Sequence, residues 1–192
     1  MTIATWADPT GVVTSGGFMK AKVVQNALVN NESLAMVCLA RKTVTESVNS
    51  NTTPQNDDDL FFSIAAAELW YLRFVFRVSA GGAVDVDIKI QFDAPVGTSL
   101  NIEGGGLNSA GSLAIQRWPD TTTTQTYNVT TTTATAWVAS GLVYTTSAGG
   151  TFRVKWAQGN SSATATNMLL GSCIMGTKIG RASCRERVCN DV

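Results

Sequence analysis

The chain has 192 residues and a formal net charge of zero, from 14 basic and 14 acidic side chains, and it contains no histidine. This length is sufficient for one well-packed hydrophobic core. Only 15% of the residues are charged and no basic stripe is present to neutralise phosphates, so we expect no nucleic-acid partner; the apolar runs are also too short for membrane insertion.

The N-terminal segment, residues 1–40, differs from the rest of the chain because its apolar residues recur at helical spacing. This pattern predicts a short helix from Phe18 to Asn30. No basic region followed by an apolar core precedes it, so we do not expect a secretion signal. The residues that carry the helical pattern are Phe18, Ala21, Val24 and Leu28.

Residues 41–178 carry a strand pattern. Within Tyr71–Val78, apolar residues alternate with Arg73 and Arg77, which places large apolar groups on one face of a strand and charges on the other. Such segments recur between Gly-, Asn- and Ser-rich turns without intervening helices, which predicts an all-β fold, an antiparallel β-sandwich of jelly-roll type. The predicted strands are Thr43–Val48, Leu60–Ile64, Trp70–Ser79, Val84–Phe92, Ser99–Ile102, Leu113–Arg117, Gln125–Thr131, Ala134–Thr145, Thr151–Gln158 and Asn167–Gly176.

Two connections between these strands are candidate sites. Asn49–Asp59 is predicted to be a turn-rich connector that ends in the acidic cluster Asp57, Asp58 and Asp59. Clustered carboxylates suit calcium, but we favour a solvated turn that starts the next strand. Gly104–Gly106 lacks the Lys and Ser/Thr of a phosphate-binding loop and is predicted to be a flexible loop.

Catalytic residues are not evident in this sequence. No histidine is available to activate a serine, and no motif supports a Ser–Lys pair. Nothing singles out two carboxylates for glycoside hydrolysis. We therefore expect a protein that is not an enzyme and that uses no cofactor.

The sequence Trp118-Pro119-Asp120 gives a second functional hypothesis. As a turn, it would present the Trp118 ring to a sugar, with Asp120 beside it, in a carbohydrate-binding module. The alternative that we favour for Trp118, and equally for Trp6 and Trp137, is burial in the core or in a subunit interface. Tryptophan side chains bury large apolar areas, which is the reason for this preference.

The cysteines fall into two pairs. Cys38 and Cys173 lie in apolar segments and are predicted to be buried free thiols, although a disulfide between them remains open. Cys184 and Cys189 lie in the C-terminal segment Ile179–Val192. A redox or metal pair is the less favoured interpretation for them, since zinc normally needs four ligands.

The segment Ile179–Val192 shows no apolar periodicity. Its sequence, IGRASCRERVCNDV, resembles the translation of a common short-read sequencing adapter. This resemblance predicts a non-native tail joined to a truncated coding sequence from environmental reads. Without these residues, which hold three arginines and two acids, 11 basic and 12 acidic side chains remain.

Three further segments occur in a fixed order: QNDDDL at Gln55–Leu60, DIKIQFDAPVG at Asp87–Gly97 and WAQGNSSATAT at Trp156–Thr166. Together they resemble a β-sandwich domain of structural and tail-associated proteins of tailed bacteriophages. The resemblance implies a non-enzymatic virion component, tail- or fibre-associated, assembled in the host cytoplasm and released by lysis. It also implies a homotrimer that contacts other virion proteins and, in some roles, a host-surface glycan.

The N-terminal segment, with Trp6 and Pro9 before the predicted helix, resembles the leader of the same phage proteins. The resemblance implies an attachment or trimerisation element. The alternative is a helix packed on the edge of the sandwich, and the sequence leaves both open.

Overall fold

The computed structural model describes residues 36–82, 86–108, 110–129 and 132–179. The predicted helix at Phe18–Asn30, Trp6 and the tail from Gly180 onward lie outside these ranges. No helix in the described ranges could span a bilayer. The strands in these ranges are β1 (Val37–Arg41), β2 (Glu46–Val48), β3 (Gln55–Ile64), β4 (Leu69–Ala80), β5 (Ile88–Asp93), β6 (Ser99–Leu107), β7 (Leu113–Trp118), β8 (Thr124–Tyr127), β9 (Thr135–Tyr144), β10 (Gly150–Gln158), β11 (Thr166–Met168) and β12 (Cys173–Ile179).

These strands form two antiparallel sheets. The larger sheet has the order β1-β12-β4-β9-β6-β7, with β11 paired to β4 and β2 paired to β11. The smaller sheet has the order β3-β10-β5-β8. From β3 to β10 the chain changes sheet at every connection except the β6–β7 hairpin, which is the connectivity of a jelly roll. The predicted all-β antiparallel sandwich is confirmed.

The hydrophobic core lies between the two sheets, and the two-residue period of the strands selects the side chains that enter it. Arg73 and Arg77 of β4 are exposed while the alternate residues are buried, as the sequence predicts. Rings from the two sheets contact each other; the centroids of Phe74 and Phe92 are 4.7 Å apart. Fully buried apolar residues of the central strands β4 and β10 are Leu72, Phe74, Phe76, Val78, Phe152, Val154, Trp156 and Ala157.

The glycines of β6 are part of the sheet. The prediction of a flexible loop at Gly104–Gly106 is wrong, because these residues pair with β7 and, at Gly104 and Gly105, also with β9. The ring of Tyr127 from the smaller sheet packs against them, and a Cβ at Gly106 would lie 2.7 Å from its Cδ1 atom. The Tyr127 hydroxyl donates to the Gly104 carbonyl over 3.3 Å, and burial raises the pKa of this phenol. The glycines therefore provide room for an aromatic ring.

Gly106→Ala is expected to lower the free energy of unfolding by about 1–3 kcal/mol, because the new methyl group overlaps the Tyr127 ring. Gly105→Ala is the matched control, since a Cβ there meets nothing within 4 Å. Urea unfolding of the two variants measures the difference. Equal stabilities would show that the Tyr127 ring does not require the glycine.

Other boundaries differ from the predictions. The larger sheet includes β1, so β-structure begins before the boundary predicted at residue 41. The strand predicted over Asn167–Gly176 is two strands, because a turn containing Gly171 at φ +87° separates β11 from β12. The strand predicted from Val84 begins at Ile88, after Asp87 with φ +35°. Ile179, assigned to the non-native tail, is the last residue of β12 and pairs with Leu69.

Candidate functional site

The most exposed apolar residues of the β6–β7 hairpin form one surface. Leu107 of β6 lies opposite Leu113 of β7, and Gly105 lies opposite both Ile115 of β7 and Val138 of β9. Leu113 and Ile115 are 82% and 72% exposed, and Leu107 and Val138 are also exposed. We call the set Leu107, Leu113, Ile115 and Val138 the hairpin patch.

A charged pair borders the hairpin patch. The guanidinium of Arg117 lies 2.8 Å from the carboxylate of Glu103, and both side chains are exposed. An exposed ion pair of this kind contributes little to folding stability. Apolar residues with a polar rim are the usual anatomy of a protein–protein interface.

β7 is also an edge strand. It stands at the end of the larger sheet, so its one strand partner within that sheet is β6. Exposed sheet edges tend to pair with further strands, and proteins commonly protect them with charges or proline. Here the strand sequence LAIQRW carries one charge, on Arg117, and presents Leu113 and Ile115 to solvent. The edge strand and the hairpin patch therefore lie side by side on the larger sheet.

Trp118, the predicted sugar-stacking residue, is fully buried. Its indole N–H donates to the Ile90 carbonyl over 3.0 Å, and its ring lies 5.2 Å from Phe92 and 6.0 Å from Tyr127. The favoured prediction of burial is confirmed, and the alternative of a surface ring is wrong, because Trp118 ends β7 with its side chain in the core. Trp137 is buried as well, stacked on Tyr127 at 4.0 Å.

Asp120 stays on the surface, where it organises its own turn. Its Oδ1 atom accepts hydrogen bonds from the backbone N–H and the hydroxyl of both Thr122 and Thr123. These hydrogen bonds, those from Thr123 first, lower the pKa of the Asp120 carboxyl. With Trp118 in the core, Asp120 has no exposed ring beside it on β7.

The acidic cluster does not converge on one point. Asp57, Asp58 and Asp59 lie within β3, so the prediction of a turn is wrong. The buried Asp57 carboxylate bonds to Lys42, whereas Asp58 is exposed and Asp59 accepts the backbone N–H of Thr43. In the described ranges, no group of three or more His, Cys, Asp or Glu side chains is arranged to hold a metal ion. The calcium hypothesis therefore has no support from this arrangement.

Lys42 was not singled out from the sequence, yet it is the only fully buried lysine among the described residues. Its Nζ atom lies 2.8 Å from Asp57 Oδ2 and 2.7 Å from Glu46 Oε2. Burial alone would lower the pKa of this amine, but the hydrogen bonds and charges of the two carboxylates outweigh it and raise the pKa. No local sequence motif predicts this cluster, because Asp57 is distant from Lys42 in the sequence.

A shallow depression lies at the ends of β3, β4 and β10, beside Trp70. The Trp70 indole donates to Glu68 Oε2 over 2.9 Å, and Lys178 forms an ion pair with Glu68. Burial raises the pKa of the Glu68 carboxyl, but hydrogen bonds from Lys178 and Trp70 outweigh it and leave that pKa lowered. The polar groups of the depression are thus largely paired with each other.

The two cysteines in the described part of the chain are both free. Cys38 on β1 is exposed, so the prediction of a buried thiol is wrong for it, and it lies opposite Met175 rather than Cys173. Cys173 is half-buried, and this burial raises the pKa of its thiol.

The chain was compared with known protein families, curated proteins and solved structures. No model of a known protein family matches the chain. A search of curated proteins gives no match either. The structure described as "Crystal structure of infectious bursal disease virus VP2 subviral particle" aligns over 75% of this chain at 10% identity, with a TM-score of 0.21. This chain spans 39% of the length of that VP2 chain.

Proposed function

We propose that this chain is a non-enzymatic structural component of a phage virion, associated with the tail or fibre, that acts by self-assembly. The chain forms a homotrimer and contacts other virion proteins. It assembles in the host cytoplasm and is released by lysis. Its loops face solvent and the host surface. The ordered resemblance of Gln55–Leu60, Asp87–Gly97 and Trp156–Thr166 to phage tail proteins supports this assignment.

The observation that carries the proposal is the hairpin patch on the edge of the larger sheet. Leu113 and Ile115 are largely exposed on β7, the edge strand of the larger sheet. Burying these side chains in a subunit contact would gain about 1.5–3 kcal/mol for each one fully removed from water. In an assembling protein such a surface is buried in a subunit contact, whereas in an isolated domain it would promote aggregation.

The carbohydrate-binding alternative required an exposed aromatic ring at Trp118. Trp118 is in the core, and the indole N–H of the half-buried Trp70 is already bonded to Glu68. A jelly roll by itself does not distinguish the two functions, because the fold occurs in both lectins and capsid proteins. Assembly is therefore the function that the surface supports best.

The full chain is expected to form a homotrimer in solution, because the hairpin patch favours association of copies. Light scattering after size exclusion measures the molar mass, with a reductant present to prevent disulfides between cysteines. A trimer at micromolar concentration supports the proposal. A monomer that persists as the concentration rises would contradict it.

A further inference from the structure

A buried cluster of three ionisable side chains joins the two sheets. Lys42 follows β1, Glu46 begins β2, and Asp57 lies in β3 of the smaller sheet. The side chains of Lys42 and Asp57 are 0% exposed, and that of Glu46 is 16% exposed. The amine thus lies in contact with two carboxylates, 2.7 Å from one and 2.8 Å from the other, away from bulk water.

The two oxygens of Asp57 have different partners. Oδ1 accepts the backbone N–H groups of Asp59 and Leu60, over 2.9 and 2.8 Å. Oδ2 accepts the indole N–H of Trp156 over 3.0 Å and the amine of Lys42. Two fixed N–H donors on one oxygen resemble an oxyanion hole, which stabilises a tetrahedral intermediate of acyl transfer.

From this geometry we infer that Lys42 and Asp57 condense to an intramolecular amide, with Glu46 transferring the protons. The neutral amine of Lys42 attacks Cγ of the protonated Asp57 carboxyl group, forming the Nζ–Cγ bond. The negative charge that develops on Oδ1 is held by the N–H groups of Asp59 and Leu60. Glu46 accepts a proton from Nζ and returns it to Oδ2, and the Cγ–Oδ2 bond then breaks to release one water molecule.

The reaction requires no other reactant. The two carboxylates raise the pKa of Lys42 and therefore disfavour its neutral amine. The neutral amine forms by transfer of a proton to a carboxylate along the existing hydrogen bonds, and the fixed contact must compensate for this cost. A fixed contact between reacting groups corresponds to an effective concentration of about 10⁵–10⁸ M. The partly exposed Glu46 marks the side on which the released water can reach solvent.

The amide would link the two sheets covalently. It closes the chain between residues 42 and 57 and ties the β1–β2 region of the larger sheet to β3. A covalent cross-link stabilises a fold by restricting the unfolded chain, as a disulfide does. The inference stands on the cluster alone and does not depend on a role in a virion.

The test is the intact mass of the purified full chain, measured under reducing and denaturing conditions. We expect the mass to be lower than the sequence mass by one water molecule. Proteolysis is expected to yield one branched peptide that contains both Lys42 and Asp57. A folded wild-type protein that keeps the full sequence mass after prolonged incubation would overturn the inference and leave an ordinary buried ion pair.

Three variants separate the chemistry from the fold. Lys42→Arg keeps the charge but is expected to retain the linear mass. Asp57→Asn is expected to lose ammonia instead of water and so to reach the same final mass as the cross-linked wild type. Glu46→Gln is expected to fold, by circular dichroism, and to stay linear for far longer. If Lys42→Arg does not fold, the mass of the wild type and the masses of the other two variants still test the inference. A cross-link that forms in Glu46→Gln at the wild-type rate would exclude Glu46 from the reaction.

Discussion

Trp118→Ala is expected to lower the free energy of unfolding by about 3–5 kcal/mol, the range for removing a large aromatic side chain from a core. Trp118 is fully buried between Phe92 and Tyr127. Truncation leaves a cavity between the sheets and also leaves the Ile90 carbonyl without the indole donor. Chemical denaturation monitored by circular dichroism measures the change.

Trp118→Phe is the matched control for this variant. It retains most of the apolar volume but lacks the N–H donor to Ile90, so a smaller loss is expected. If Trp118→Ala were as stable as the wild type, the residue would not lie in the core. Loss of glycan binding at unchanged stability would restore the carbohydrate-binding hypothesis.

Asp57→Ala is expected to cost about 3–5 kcal/mol of folding stability, because it leaves the buried amine of Lys42 without its main partner. The substitution also removes the acceptor of the Trp156 indole and of two backbone N–H groups. If the amide forms, its loss adds a term of about 3 kcal/mol, the size expected for a closed loop of this length. The wild-type and variant unfolding curves give the total.

A double variant tests the cause of this loss. Lys42→Met with Asp57→Leu removes both charges and keeps apolar volume, so it is expected to be more stable than Asp57→Ala. Equal stabilities of the two proteins would show that an unpaired Lys42 is not the source of the destabilisation.

Sequence periodicity predicted the parts of the fold that depend on burial alone. Alternation across Tyr71–Val78 gave the correct exposed face of β4, with Arg73 and Arg77 outward. The same reasoning located most strands, because turns rich in glycine, asparagine and serine separate them. Strand ends were less accurate, as at Gly171, where a local turn interrupts an apolar run.

The errors at particular residues came from tertiary contacts that no local pattern shows. Gly104–Gly106 has the composition of a loop, yet it is a strand because Tyr127 from the other sheet needs the space. Asp57 belongs to an acidic run typical of a solvated turn, but its partners Lys42 and Trp156 are remote in the sequence. Burial of Trp118 was favoured from the size of its ring, and it is the register of Trp118 in β7 that directs the ring inward.

The exposure of the hairpin patch could not be predicted from the sequence either. Leu113 and Ile115 lie on one face of a predicted strand, but the pattern does not say whether that face meets the core or solvent. The answer depends on β7 being the edge of its sheet, which is a property of the whole topology.

The most direct test of assembly through the hairpin patch compares two double variants of the full chain by light scattering after size exclusion. Leu113→Glu with Ile115→Glu places charges on the patch, and Asn56→Glu with Thr124→Glu places the same charges at exposed sites of the smaller sheet. The wild type and the second variant are expected to be trimers, and the first variant a folded monomer. A patch variant that keeps the wild-type oligomeric mass would contradict the account.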